Sequence, residues 1–328
     1  MPELPEVEIV RQGLDRVTLA QPVQGGDVLL SRTIAHPFTV AEFLAGLDQV
    51  TIVGWHRRGK YLLAQLVKER ELLTGNGERK NGFSRVNSEP DLALLTDTST
   101  GGTLQVGLKS AVSHAGWLAV HLRMSGQLLW LDRAEPLQKH TRVRLFFPNS
   151  RELRFVDQRT FGRIWWIPPL QQPENIITGL MQLGPEPFAA EFSVEYLAKK
   201  LHKGQRAIKT ALLDQTLVAG VGNIYADEAL FVSGIRPETL GSALNVVQIE
   251  RLHHAIIQVL EASIAAGGTT FSKFLNVQGV NGNYSGVAWV YGRTGKPCRV
   301  CNTPIERIKL TGRSSHFCPK CQIPVKSK

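Results

Sequence analysis

Residues 141–167 read TRVRLFFPNSRELRFVDQRTFGRIWWI. Three runs in this stretch, TRVRLFF, RELRFVD and GRIWWI, are short, rich in β-branched and aromatic residues, and separated by breaks with turn chemistry such as PNS. Five upstream segments share that character: DVLLSRTI (27–34), VTIVGWHRR (50–58), KYLLAQLV (60–67), GWLAVHLR (116–123) and GQLLWL (126–131). Eight such segments predict a sandwich or barrel-like sheet domain.

In front of these strands stands MPELPEVE (1–8). A helix is expected over 2–19, with Glu3, Glu6 and Glu8 favouring its positive end and Val7, Val10, Leu14 and Val17 at helical spacing. Trimming of Met1 would leave Pro2 as a secondary amine beside Glu3, a terminus that could itself react. Residues 69–115 are polar and rich in Gly, Ser, Thr and Asn, and are expected to be a partly disordered insertion between two strands.

Beyond PPLQQPENIITG (168–179), which resembles a linker, the periodicity turns helical. EFSVEYLAKKLHKG (191–204) ends on a glycine of C-cap type, QRAIKTALLDQ (205–215) follows, and the longest helical pattern is NVVQIERLHHAIIQVLEASIAAGG (245–268). The domains expected are 1–169, a linker at 170–178, a helical domain at 179–290 and a small module at 291–328. No apolar run approaches the roughly 18 residues of a membrane span, and acids stand where a signal peptide carries base. A cytoplasmic location without membrane association is expected. The net charge of +10 points to a polyanionic partner, nucleic acid first.

All four cysteines fall in the last module, as Cys298-x2-Cys301 and Cys318-x2-Cys321 with sixteen residues between the pairs. Four thiolates at this spacing suit one structural Zn2+, whose binding would supply folding energy that so short a segment lacks. Between them NTPIERIKLTGRSSHF (302–317) predicts a β-hairpin with Arg313 at its tip, either a solvated turn arginine or a phosphate contact. In TLVAGVGNIYADE (216–228), Gly220 and Gly222 permit backbone conformations closed to other residues, and Asn223 stands where a helix would begin, so exposed N–H groups there could cradle a phosphate.

WHRRGKYLL (55–63) sets Arg57 and Arg58 on opposite sides of a strand, with Gly59 bending the chain to re-aim Lys60. HLRMSG (121–126), KHTRV (139–143) and DQRTFG (157–162) place His121, Met124, His140, Arg159 and Phe161 around tight turns. Met and Phe in turns usually cover a core, yet a flexible apolar chain, an aromatic and an arginine are also what fills a disrupted base stack.

Taken together, these stretches resemble the formamidopyrimidine-DNA glycosylase family. PELPEVE, RRGKYLL, HLRMSG, LGPEP, AIKTALLDQ, VAGVGNIYADEALF, GIRP, AGGTT, VYGRTGKPC and FCPKCQ occur in the family's order, from residue 2 to residue 322. The resemblance implies an α+β fold: an N-terminal helix with an eight-stranded antiparallel β-sandwich, a helix-two-turns-helix domain and a zinc-finger β-hairpin. It also implies a monomer that binds damaged double-stranded DNA, excises oxidised purines and cleaves the abasic strand by β,δ-elimination.

Carried over by motif, Pro2 would be the nucleophile, Glu3 the proton donor and Glu6 a supporting carboxylate. Lys60 would lie near the damaged nucleoside and its phosphates, and Arg313 and Asn223 would contact phosphate. His140 and Arg159 match DNA-contacting positions, and Met124, Arg159 and Phe161 match the trio that fills the space left by a flipped base. The sequence departs from the family at Thr160, where some members carry a second arginine, and in NVQGVNGNYSGVAWVYGR (276–293), where Tyr284 and Ser285 are candidate base contacts. A pyrimidine-specific enzyme resembling endonuclease VIII is the near rival, although such enzymes begin closer to PEGPE. A catalytically silent DNA-binding protein is the rival of another class, and the intact Pro2, Glu3 and Lys60 argue against it.

Overall fold

The structure, a computed structural model, describes residues 2–69, 112–269, 276–280 and 282–324. Helix α1 (Leu4–Thr18) opens the chain; its N-cap is Glu3, whose N–H donates to the Glu6 carboxylate at 2.8 Å. Pro5 sits in the first turn, where the missing N–H costs nothing. Nine strands follow in the first domain among the described residues: β1 (Gly26–Val28), β2 (Ile34–His36), β3 (Thr51–Arg58), β4 (Tyr61–Glu69), β5 (Val112–His121), β6 (Gly126–Asp132), β7 (Thr141–Phe147), β8 (Arg151–Asp157) and β9 (Arg163–Ile167). They form one sheet in the order β1-β7-β8-β6 and a second in the order β2-β9-β5-β4-β3. Helix α2 (Val40–Leu47) bridges β2 and β3 in sequence, capped by the Thr39 hydroxyl on the N–H of Glu42.

The α+β architecture is the expected one, with one strand more than the eight read from the sequence. DVLLSRTI is two strands rather than one: it breaks at a 3-10 turn over Ser31–Thr33, leaves the four-stranded sheet after β1 and joins the five-stranded sheet as β2. Its second half runs parallel to β9, the exception to an otherwise antiparallel sandwich among the described strands. The rest follows from alternation. In β7, Thr141, Val143, Leu145 and Phe147 are buried while Arg142, Arg144 and Phe146 are only half-buried, and Val143, Leu145 and Phe147 pack with Leu118, Val120, Leu153, Phe155 and Ile164 of the neighbouring strands. Most of the expected insertion lies outside the described residues; its last part, 112–115, belongs to β5, and Glu69 pairs with Val112.

Helices α3 (Pro173–Ile176) and α4 (Thr178–Met181) occupy the stretch expected as a linker. Ile177 and Leu180 bury themselves on Tyr61, Leu63, Ala119, Trp165 and Ile167 at the outer face of the five-stranded sheet, so this connection is packed. The helical domain continues with α5 (Val194–His202), α6 (Ile208–Leu212), α7 (Asn223–Val232), α8 (Val246–Ala265) and α9 (Tyr284–Val287). Gly204 beyond α5 does not adopt the left-handed conformation of a C-cap glycine. The final module is the hairpin of β10 (Glu306–Leu310) and β11 (Arg313–Phe317), joined by Thr311 and Gly312, both left-handed as a two-residue hairpin turn demands. Among the described residues no helix is long and apolar enough to cross a membrane.

Helix α1 belongs to two cores at once. Val7, Val10 and Leu14 sit in the sandwich, whereas Leu4 is buried among Val221, Tyr225 and Leu260 of the helical domain. The first residues of the chain are thereby pinned at the seam between the two domains.

Candidate active site

At that seam Pro2 is buried, and Glu3 and Glu6 are 2% and 1% exposed. The Glu3 carboxylate caps α7: its Oε1 accepts the N–H of Ile224 at 3.1 Å and its Oε2 that of Tyr225 at 3.4 Å. Glu6 accepts the Tyr225 hydroxyl at 2.6 Å and the Thr269 N–H at 3.0 Å, besides the Glu3 N–H. Burial raises the pKa of both carboxyl groups. Lys60 opposes the rise at Glu3 and the charge of Glu6 adds to it; at Glu6 the Tyr225 hydroxyl opposes it. The result is a carboxyl group biased toward its acid form, held beside Pro2.

The glycines of GVGN serve a different purpose from the one expected. A Cβ on Gly222 would lie 2.2 Å from the Glu3 carboxyl carbon, and one on Gly220, which is left-handed at φ +87°, would lie 2.6 Å from Leu4. They make room for the N-terminus, and two N–H groups expected to be open to phosphate already bind Glu3. Asn223 begins α7 as expected.

Lys60 sits in the two-residue turn between β3 and β4, after the left-handed Gly59. It is 7% exposed and donates to the Val221 carbonyl at 3.0 Å. Burial lowers its pKa, Glu3 pulls it back up, and Arg313 pushes it down. Arg57 and Arg58, expected to diverge, converge instead on Glu186 of LGPEP, at 2.5 and 3.0 Å, and the Gly59 N–H donates to the same carboxylate at 2.6 Å. A twisting strand end lets two consecutive guanidiniums wrap round one carboxylate.

His121, noticed in its turn yet not placed among the candidate site residues, stacks edge-on against Tyr61 at 4.5 Å and accepts the Arg123 N–H at 3.0 Å. Burial, with Arg123 and Lys60 nearby, lowers its pKa to about 3. The signal for it was HLRM at the end of a strand.

The terminal hairpin docks on the helices through buried charge. Asp227 of α7 pairs with Lys209 at 2.7 Å and accepts both the backbone N–H and the ring of His316, at 2.9 and 3.0 Å; Lys209 also donates to the Ser314 carbonyl at 2.5 Å. Arg313, exposed beside the turn, thus faces the seam closely enough to act on the charges of Lys60 and Lys209. Lys209 and Asp227 lie in the quoted motifs, but nothing local marks them as partners.

The sulfurs of Cys298, Cys301, Cys318 and Cys321 all lie within 4.8 Å of one another, with Cys298–Cys321 at 3.8 Å and Cys301 at 3.4 Å from both Cys318 and Cys321. Tetrahedral zinc with Zn–S bonds of about 2.3 Å needs sulfurs about 3.8 Å apart, so the donor set fits that ion.

Met124 lies in the β5–β6 turn and Arg159 and Phe161 in the β8–β9 turn, and the two turns meet where the Arg159 N–H donates to the Ser125 hydroxyl at 3.0 Å. Met124 and Phe161 are 41% and 49% exposed, so they do not cover a core, and the Arg159 guanidinium lies 5.0 Å from the Phe161 ring. His140 precedes β7, with its ring 3.2 Å from Arg142. Thr160 accepts a bond from Arg32 at 2.7 Å, which puts an arginine beside the turn where some family members carry it in the turn itself. Tyr284, expected as a base contact, is instead buried against Tyr225.

Comparison with known proteins agrees across the whole chain. A model of the formamidopyrimidine-DNA glycosylase N-terminal domain matches residues 1–164, one of the formamidopyrimidine-DNA glycosylase H2TH domain residues 183–274, and one of a zinc finger found in FPG and IleRS residues 295–323. The chain is 59% identical over 322 residues to the formamidopyrimidine-DNA glycosylase of Nostoc punctiforme (98% of this chain, 96% of the relative) and 56% identical over 331 residues to that of Trichodesmium erythraeum (98% and 100%). Among solved structures, a Lactococcus lactis FPG mutant in complex with Fapy-dG containing DNA superposes with a TM-score of 0.77 at 30% identity (98% of this chain, 99% of that one). The MutM (FPG) protein of Thermus thermophilus does so at 0.74 and 32% (98% of each). This chain belongs to the formamidopyrimidine-DNA glycosylase family.

Proposed function

We propose that the chain is a bifunctional DNA glycosylase and AP lyase of base excision repair, acting as a monomer on oxidised purines such as 8-oxoguanine and formamidopyrimidines in duplex DNA. The observation that carries this reading is a buried proline at position 2 followed by a buried carboxyl group with raised pKa and faced by a buried ammonium. A structural or silent DNA-binding role requires none of these.

Once Met1 is removed, Pro2 presents a secondary amine whose ordinary pKa is about 8, so a useful neutral fraction exists at physiological pH. Its lone pair attacks C1′ of the flipped nucleotide, the C1′–N9 bond breaks with its electrons leaving on the base, and the proton released from the Pro2 nitrogen neutralises the departing base. Protonated Glu3 delivers a proton to O4′ as the sugar ring opens, which leaves an iminium between Pro2 and C1′. The iminium acidifies the C2′ proton; its loss expels the 3′ phosphate, and a second elimination expels the 5′ phosphate. Proline suits this role because its iminium has no N–H proton to shed. Glu6 adds charge that favours the acid form of Glu3, while Lys60 and Arg313 bring positive charge toward the phosphates.

Asn223 contacts phosphate, His140 and Arg159 contact the DNA, and Met124, Arg159 and Phe161 fill the stack. One structural Zn2+ held by the four cysteines supplies folding energy that keeps Arg313 in position.

Borohydride reduction of a reaction on duplex DNA with 8-oxoguanine opposite cytosine should trap a covalent protein–DNA adduct. Tight binding without an adduct on either that lesion or an abasic site would leave the silent-binder reading. Intact-mass measurement should show loss of Met1, and its retention would sink the mechanism. The logarithm of affinity should fall by about 0.9 per neutralised phosphate for each unit of log salt.

A further inference from the structure

The three side chains proposed to enter the base stack come from two separate turns, and the strands around those turns are paired. Gly126 lies opposite Asp157 in the four-stranded sheet, and His121 opposite Arg163 in the five-stranded sheet, so both connections cross the sandwich edge side by side. We infer that Asp157 is a positioning residue which, with Ser125, fixes these two turns and His140 as one DNA-engaging unit. The inference rests on the wedge reading above and deepens it.

Asp157 is 1% exposed and ends β8. Its Oδ1 accepts the Ser125 hydroxyl at 2.5 Å and the Arg159 N–H at 3.2 Å, and its Oδ2 accepts the Gly162 N–H at 2.7 Å. The Ser125 oxygen accepts the same Arg159 N–H at 3.0 Å. One carboxylate therefore holds the residue after Met124, Arg159 itself, and the residue after Phe161. Its backbone reaches the third element: the Asp157 N–H donates to the His140 carbonyl and its carbonyl accepts from Arg142 Nε, both at 2.9 Å. Every side-chain partner is a donor, so an amide of the same shape must turn an N–H2 toward one of them. Gly162 leaves the space, since a Cβ there would lie 2.4 Å from the Phe155 ring and 3.0 Å from Asp157 Oδ2.

The backbone at both tips needs such a restraint. Arg123, next to Met124, and Thr160, between Arg159 and Phe161, are left-handed at φ +53° and +56°, a region that residues with a Cβ avoid. Side chains pushed between stacked bases are pushed back, and two turns without a shared anchor would splay. Loss of the anchor should therefore impair opening of an intact stack and spare a sugar that carries no base.

The test compares two substrates under single turnover: 8-oxoguanine paired in duplex, and a preformed abasic site in the same duplex. Asp157→Asn should slow the first by about tenfold to a hundredfold and the second by less than about threefold. Ser125→Ala, which deletes one hydroxyl and keeps the carboxylate, should shift the same ratio in the same direction by a smaller factor and serves if Asp157→Asn folds poorly. Placing the lesion opposite a mismatched base should restore part of the loss. Phe161→Ala separates the two layers of argument. Selective loss in Phe161→Ala with equal or no loss on both substrates in Asp157→Asn and Ser125→Ala overturns the inference alone. If Phe161→Ala shows no selective loss, the wedge reading fails and the inference with it.

Discussion

Glu3 and Phe161 are 2% and 49% exposed, although both are proposed to meet the same nucleotide. The N-terminal cluster does its work by withdrawing charge from water: burial raises the pKa of Glu3 and Glu6 and lowers that of Lys60. The sandwich turns do the reverse, leaving apolar side chains in solvent and spending hydrogen bonds on a strained backbone beneath them. Chemistry on the sugar needs shifted proton affinities, which burial together with close charged neighbours provides. Insertion into a base stack needs a stiff, accessible wedge, which a buried residue cannot be. The contrast can be broken experimentally at four points.

Glu3→Gln should have the largest effect, a loss of about 10²- to 10⁴-fold in excision of 8-oxoguanine. The borohydride adduct on a preformed abasic site should persist, because the amine is untouched. Since the folded Glu3 pKa lies above its usual 4.5, the acid form survives to higher pH than in an ordinary glutamate. Excision should fall as pH rises through that raised value, and this fall should be missing from the residual activity of Glu3→Gln.

Gly222→Ala comes next. Its new methyl would lie 2.2 Å from the Glu3 carboxyl carbon, so either Glu3 or α7 must move. A stability loss of about 1–3 kcal/mol, read by denaturant unfolding, should accompany reduced excision. Gly204→Ala, where the nearest atom is 3.9 Å away and φ is not left-handed, should cost neither.

On the exposed side, Met124→Ala should lower excision from paired duplex by about tenfold, within the few kcal/mol that unstacking costs. Its melting should stay within about 0.5 kcal/mol of the parent, as for a surface position. Equal losses of stability at Gly222 and Met124 would erase the distinction between the two regions.

The smallest effect at neutral pH is expected at His121, and it appears only on acidification. Its folded pKa is lowered to about 3 from the usual 6.5, so between those values the unfolded chain binds a proton that the folded one refuses. Stability should drop as pH falls through this window, by about 1.4 kcal/mol per pH unit for that one proton. The raised carboxyl groups act with the opposite sign: above pH 4.5 the folded state keeps protons the unfolded state has released, so Glu3 and Glu6 erode stability as pH rises. His121→Phe should remove the first contribution and leave the second, a difference visible in unfolding midpoints across the acid range.

How far the site could be read in advance depends on how local its signals are. Arg313 beside the hairpin turn and the cysteine quartet are short-range facts, fixed by a two-residue turn and by ligand spacing. The strand content of 141–167 follows from residue type, and the helix at 4–18 from apolar spacing. DVLLSRTI misled because a chain crossing from one sheet to the other keeps strand-like composition on both sides of the crossing. Arg57 and Arg58 misled because alternation describes a flat strand, and Glu186 draws both to one point.

The sequence by itself determined the classes of element, the cysteine quartet that could hold a metal, the proline and carboxylates of the opening stretch and, through motif order, the family. Tertiary structure alone decided that Leu4 enters a different core from Val7, that Gly222 exists to admit Glu3, that Tyr284 is buried, and that Asp157 gathers two turns and His140. Ile224 lies 221 residues from the carboxylate that caps it, and Val221 161 residues from the lysine it receives. Periodicity and spacing record the preferences of neighbouring residues. Burial, and every proton affinity that depends on it, is set by which distant segments close over a group, and only the folded chain brings those segments together.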